Sequence, residues 1–134
     1  VIGIIPESLA VKEVAHQSLT KIHVVDSMHE RKALMAEYAD GFIALPGGFG
    51  TFEEFCEIVT WAQLGIHRKP CALLNVSGFY DHLIAMFEYS ASENFIRGEH
   101  RGLVLVENEI GKLYELMKDY RPPLIEKWLD KKST

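Results

Sequence analysis

Two short stretches carry residue types and spacings that could do chemistry. The first is Pro46-Gly47-Gly48-Phe49-Gly50-Thr51-Phe52-Glu53-Glu54, where three glycines in four positions directly follow an apolar run ending at Leu45 and directly precede a helical pattern. Glycines let the backbone turn sharply and approach a ligand with no Cβ in the way. At a helix start, free amides and the helix dipole together form an anion site suited to the 5'-phosphate of a nucleotide. Thr51 and Glu54 are also spaced as a capping box, which would occupy both side chains structurally, so the two readings stand side by side. A Walker loop is excluded because no Lys-Ser or Lys-Thr pair follows.

The second stretch is Asp26-Ser27-Met28-His29-Glu30-Arg31-Lys32, after the apolar run Ile22 to Val25. Ser27 and Glu30 form another capping-box spacing, which puts Arg31 and Lys32 in the first turns of a helix. Both share a face with Met28 and Met35 at spacings of three and four. A basic pair there suits anion recognition, Arg offering a planar fork for phosphate or for polarising a ligand atom. The alternative is a solvated pair whose stems lie along apolar surface.

Other chemistries lack their parts. His29-Glu30 has no second histidine four residues on, His16 and His23 are seven apart, and His67, His82 and His100 stand alone, so a zinc site has no support. No G-x-S-x-G elbow occurs, and neither Cys56 nor Cys71 sits in a polar turn that would favour a thiolate. Both cysteines have apolar neighbours, which predicts buried, reduced thiols in a cytoplasmic protein.

The elements that must hold these stretches follow from hydrophobic period. Val1 to Ile5, Ile22 to Val25, Gly41 to Leu45, Cys71 to Val76 and Leu103 to Val106 read as strands. Helical patterns run from Met28 to Ala39, Phe52 to Leu64, Gly78 to Glu93 and Ile110 to Tyr120. Near-continuous apolar strands alternating with helices predict a doubly wound α/β fold with a parallel sheet. Ligands of such folds bind beyond the carboxyl ends of the strands, where both stretches lie. One domain over residues 1–120 is expected, followed by a tail over 121–134 that Pro122 and Pro123 separate from the last helix and in which Trp128 and Leu129 could dock on a neighbouring surface.

The 134 residues carry fourteen Lys and Arg against nineteen Asp and Glu, a net charge of -5, with 48% hydrophobic residues. That composition belongs to a globular protein and excludes disorder. No apolar run approaches the roughly 20 residues of a membrane span, and no secretory leader pattern is present. An acidic balance opposes a nucleic-acid polymer, since the basic residues cluster only at Lys127, Lys131 and Lys132, so any nucleotide partner is a small one.

Together, Met28-His29-Glu30-Arg31-Lys32 and Pro46-Gly47-Gly48-Phe49-Gly50-Thr51-Phe52-Glu53-Glu54 closely resemble the Lonely Guy family of cytokinin riboside 5'-monophosphate phosphoribohydrolases, once labelled lysine decarboxylases. The similarity continues through Thr60-Trp61-Ala62-Gln63-Leu64-Gly65-Ile66-His67 and Lys69-Pro70 to Leu73-Leu74-Asn75-Val76 and Gly78-Phe79-Tyr80. The resemblance implies hydrolysis of the N-glycosidic bond of an adenosine 5'-monophosphate, often modified at its amino group, with no metal or organic cofactor. By the family's pattern Arg31 and Glu54 are catalytic, while Glu13, Lys32, Gly48, Phe49, Gly50, Thr51, Phe52, Glu53 and Thr60 surround the substrate. It also implies a homodimer or larger assembly with sites near the subunit interface.

The chemistry agrees with these residue types. Cleaving a glycosidic bond develops positive charge on the sugar and negative charge on the departing base, which calls for a carboxylate near the one and a donor near the other. The family's Rossmann-like domain begins with a further strand, glycine turn, helix and strand before the equivalent of Val1, so the chain is expected to lack that N-terminal βαβ portion and to be less soluble alone. Two further function classes remain at this point. One is a non-catalytic nucleotide-phosphate-binding module. The other is the pyridoxal-phosphate decarboxylase of the old label, for which Lys32 is the one plausible Schiff-base lysine.

Overall fold

The computed structural model describes residues 1–7 and 19–123. The expectations placed on Glu13 and on the tail residues Trp128 and Leu129 lie outside the described residues. The chain divides into two compact units, Val1–Ala39 and Asp40–Thr134.

In the first unit, β1 (Ile2–Pro6) and β2 (Lys21–Val25) pair in parallel, with Ile2 opposite Lys21 and Pro6 opposite Val25. Pro6 and Val25, the last residues of the two strands, are buried. Helix α1 (Met28–Tyr38) follows β2 and packs on both strands. Its start is the capping arrangement the sequence predicts: the Ser27 hydroxyl accepts from the Glu30 amide at 3.1 Å. Glu30 reaches back to the amide of Asp26, at 2.9 Å, rather than to that of Ser27. Two otherwise orphaned donors are thereby satisfied, and Glu30 lies in the first turn, where the dipole favours it.

The second unit is built on a parallel sheet in the order β3 (Phe42–Ala44), β4 (Cys71–Leu74), β5 (Val104–Glu107). All four residues of β4 are buried, as befits a central parallel strand covered on both faces. Ala72 and Leu74 meet Leu113 of α5 (Ile110–Asp119), with Leu105 and Met117 packed around them. The alternate residues Cys71 and Leu73 point the other way and are fully buried too. Helix α2 (Phe49–Gln63) connects β3 to β4 and packs on β4, burying Phe55, Ile58 and Ala62 at helical spacing. A 3-10 turn (Val76–Gly78) and α3 (Asp81–Ser92) follow β4, and a short α4 (Gly98–Arg101) leads to β5.

The expected α/β class, with parallel strands and flanking helices, is what the chain forms. Among the described residues, the five strands fall in a two-stranded and a three-stranded sheet, one per unit. Three local expectations are corrected. Helix α2 starts at Phe49, three residues before the predicted start, because Gly48 is its N-cap. The predicted helix from Gly78 resolves into a 3-10 turn and a helix from Asp81, since Ser77 and Gly78 take positive φ of 53° and 72°. Cys56 is exposed: its apolar neighbour Phe55 faces inward, and the roughly 100° step per helical residue turns Cys56 off that face.

Candidate active site

Strand β3 delivers the chain to Leu45 and Pro46, and the glycine turn then opens α2. The first helical hydrogen bond runs from the Phe52 amide to the Gly48 carbonyl at 3.1 Å. The amides of Gly48, Phe49, Gly50 and Thr51 are therefore the four at this end without an intrahelical partner, and among the described residues no side chain caps them. Gly48 and Gly50 have open space where a Cβ would stand, so the backbone is accessible from outside. The capping-box alternative for Thr51 and Glu54 is overturned. Thr51 lies inside the helix, at its third position, and Glu54 reaches no orphaned amide as a cap.

Thr51 has a different local role. Its side chain occupies the space that a Cβ on Gly47 would need, so the turn closes tightly only because that position is glycine. Glu54 lies three and four residues after Thr51 and Gly50, hence on their face of the helix, about 4.5 Å along the axis from Thr51. Its side chain is half-buried and takes no hydrogen bond or ion pair among the described residues. A carboxylate thus stands one turn from a set of open amides, uncommitted to internal structure.

The remaining predicted residues of α2 sit apart from this face. Partial burial of Cys56 raises its pKa, and the charge of exposed Glu53 adds to that. Phe49 is 91% exposed at the mouth of the turn, whereas Phe52 is half-buried and meets the Tyr80 ring edge-on at 6.3 Å. Thr60 lies about 13 Å along the axis from Thr51, and its hydroxyl donates to the Cys56 carbonyl at 2.7 Å. The structure does not bring Thr60 to the glycine turn.

In the first unit, Arg31 and Lys32 stand in the first turns of α1, as predicted. Lys32 is buried at 8% exposure, which a solvated side chain would not be, while Arg31 is half-buried. The Arg31 Nε is enclosed without a hydrogen-bond partner among the described residues. Such an orphaned donor on a guanidinium is a costly feature unless something accepts from it.

Sequence reasoning gave no role to the segment that backs the turn. Tyr80 is buried, and its hydroxyl donates to the Leu45 carbonyl at 2.5 Å, across 35 residues of sequence. The Tyr80 amide donates to Asn75 Oδ1 at 2.7 Å, and Asn75 Nδ2 donates to Asp81 Oδ1 at 2.8 Å. A local signal existed in Asn75 to Gly78, a turn cluster after a strand, but not the partner it would reach.

The second unit also holds a small apolar cavity of about 50 Å³ lined by Val59, Phe87, Ile96, His100 and Leu103 among others. It has room for a few waters and is far too small for a nucleotide. Neither cysteine has a lowered pKa that would favour a thiolate: burial pushes the Cys71 thiol up to about 12, and Cys56 is raised as well.

Residues 1–117 match the family described as possible lysine decarboxylase. The chain is 47% identical over 122 residues to the Arabidopsis thaliana cytokinin riboside 5'-monophosphate phosphoribohydrolase LOG2, covering 91% of this chain and 57% of that protein. It is 54% identical over 111 residues to the cytokinin riboside 5'-monophosphate phosphoribohydrolase of Rhodococcoides fascians, covering 82% and 56%. Against the Oryza sativa enzyme LOG the identity is 48% over 122 residues, covering 91% and 50%. The chain spans about half the length of these curated relatives.

Proposed function

Since the chain belongs to the Lonely Guy family, the one described as possible lysine decarboxylase, we propose that it hydrolyses the N-glycosidic bond of adenosine 5'-monophosphates, including N6-modified ones, as a cytokinin-activating phosphoribohydrolase. The relatives' names state this activity for those proteins. The observation that carries it to this chain is the uncapped start of α2, four open amides with an uncommitted Glu54 carboxylate one turn along.

In this reading the 5'-phosphate sits on the amides of Gly48 to Thr51, anchoring the sugar. Glu54 stabilises the oxocarbenium-like sugar and orients or deprotonates a water. The C1'–N9 bond breaks, the water oxygen bonds to C1', and its proton balance leaves with the base, giving free base and ribose 5-phosphate. Arg31 positions phosphate or assists the departing base, its Nε, without a partner among the described residues, being a donor in want of an acceptor. Lys32 adds positive charge, and Glu13, Phe49, Phe52 and Glu53 surround the substrate, while Thr60 stays at its own place on α2 with its hydroxyl on the Cys56 carbonyl.

A homodimer or larger assembly and a cytoplasmic location belong to the same proposal. Among the described residues no helix is long and apolar enough to cross a membrane. Its test is incubation of the full-length protein with AMP and with a prenylated AMP, followed by chromatography of the free base. Release of base with stoichiometric ribose 5-phosphate is expected. Binding without release would leave only a nucleotide-phosphate-binding module.

A further inference from the structure

The phosphate turn is not held by its own residues alone. A strand end followed by glycines is soft, because glycine leaves the backbone many conformations and no side chain to lock. The residue just ahead of the turn, Leu45, is exposed, yet its carbonyl accepts a short 2.5 Å hydrogen bond from the Tyr80 hydroxyl. That ring is buried and meets Phe79 edge-on at 4.9 Å and Phe52 edge-on at 6.3 Å. Phe52 lies in the first turn of α2, one residue past the last open amide. Tyr80 therefore touches both flanks of the turn, by a hydrogen bond before it and by ring packing after it.

Its own position is fixed in turn. Asn75 at the end of β4 accepts from the Tyr80 amide and donates to Asp81. The intervening Gly78, at a φ of +72°, has Asp81 where a Cβ would stand. The carboxyl ends of β3 and β4 are thus linked through one aromatic side chain. Burial raises the pKa of the phenol, so the hydroxyl keeps its proton.

We propose that Tyr80 is a positioning residue for phosphate recognition, holding the Leu45 carbonyl and Phe52 so that the amides of Gly48 to Thr51 converge on one anion. This rests on the reading of the turn as a phosphate site. Tyr80 contacts no substrate in this scheme, and its effect falls on the phosphate anchor rather than on the sugar or base.

The test follows the backbone amide NMR signals of Gly48, Gly50 and Thr51 in the full-length protein during titration with AMP. Tyr80→Phe keeps the ring and deletes the hydroxyl. The expected result is that the signals of Gly48, Gly50 and Thr51 shift from their wild-type positions before ligand is added. About ten-fold more AMP is then needed to saturate them, the scale of one hydrogen bond whose acceptor is left behind. Asn75→Ala, which loosens the support of Tyr80 but keeps its hydroxyl, is expected to weaken AMP in the same direction by a few-fold, and serves if Tyr80→Phe does not fold. A merely structural Tyr80 would lower the melting temperature while leaving the amide signals and the AMP titration as in wild type, which would overturn the proposal. Wild-type amides that ignore AMP altogether would sink the phosphate reading itself. AMP binding without base release would sink only the hydrolase.

Discussion

The side chain of Thr51 fills the space that a Cβ on Gly47 would require, while Gly48 and Gly50 have nothing within contact distance of theirs. The three glycines of one turn are thus needed for different reasons. Gly47 allows the turn to close on Thr51. Gly48 and Gly50 leave the amides open to whatever approaches from outside.

Opposite outcomes follow for two conservative substitutions. Gly47→Ala forces Thr51 aside and is expected to destabilise by about 1 to 3 kcal/mol, the usual cost of overpacking. Gly50→Ala, inside the helix and in open space, is expected to stabilise by roughly 0.5 to 1 kcal/mol through helix propensity, yet to weaken AMP by placing a methyl over the amides. Chemical denaturation and AMP titration of both variants check this; a Gly50→Ala protein that binds AMP as wild type would show that the ligand does not approach there.

His67 should make stability pH-dependent. Its Nδ1 accepts from the Lys69 amide at 3.1 Å, so the neutral ring donates from Nε2 to the Ile58 carbonyl at 2.9 Å. Partial burial holds its pKa below the ordinary 6.5; the Ile58 hydrogen bond opposes this and the Lys69 charge adds to it. The unfolded chain therefore takes up the proton first as pH falls. The stabilisation is complete above pH about 6.5 and is lost as pH drops through the lowered folded value. The gap in melting temperature between wild type and His67→Gln is expected to be larger at pH 7.5 and to narrow as pH falls below about 6.5. A constant gap would contradict the assignment.

The two cysteines should be distinguishable by their reactivity. Cys71 is fully buried with its pKa pushed up to about 12, whereas Cys56 is exposed on α2 beside Glu53. A maleimide at pH 7 is expected to label Cys56, more slowly than a free thiol, and to reach Cys71 only after unfolding. Peptide mass spectrometry reads the result, and labelling of native Cys71 would contradict the packing of β4.

The glycine turn was legible in the sequence because strand end, glycines and helix pattern are contiguous, and the α/β class because strands and helices differ in period. The start of α2 was not. Thr51 and Glu54 imitate a capping box, while the actual N-cap, Gly48, has no side chain to announce itself. The exposure of Cys56 was hidden in the same way, since neighbours in sequence sit on different helix faces. Tyr80 was invisible for another reason: its significance lies in a hydrogen bond to a residue 35 positions away, and a single sequence does not say which strand ends adjoin. Arg31 was found from residue type and spacing, but the enclosure of its Nε depends on packing that no local pattern encodes.

The most direct test concerns Glu54, whose carboxylate caps nothing and pairs with nothing among the described residues. Glu54→Gln should leave stability within about 0.5 kcal/mol of wild type, as for a surface change away from structural contacts. Base release from saturating AMP, followed by chromatography, should nevertheless fall between about 100-fold and 10,000-fold, the range for losing a positioned acid-base group. A folded Glu54→Gln protein that frees adenine at the wild-type rate would contradict the account.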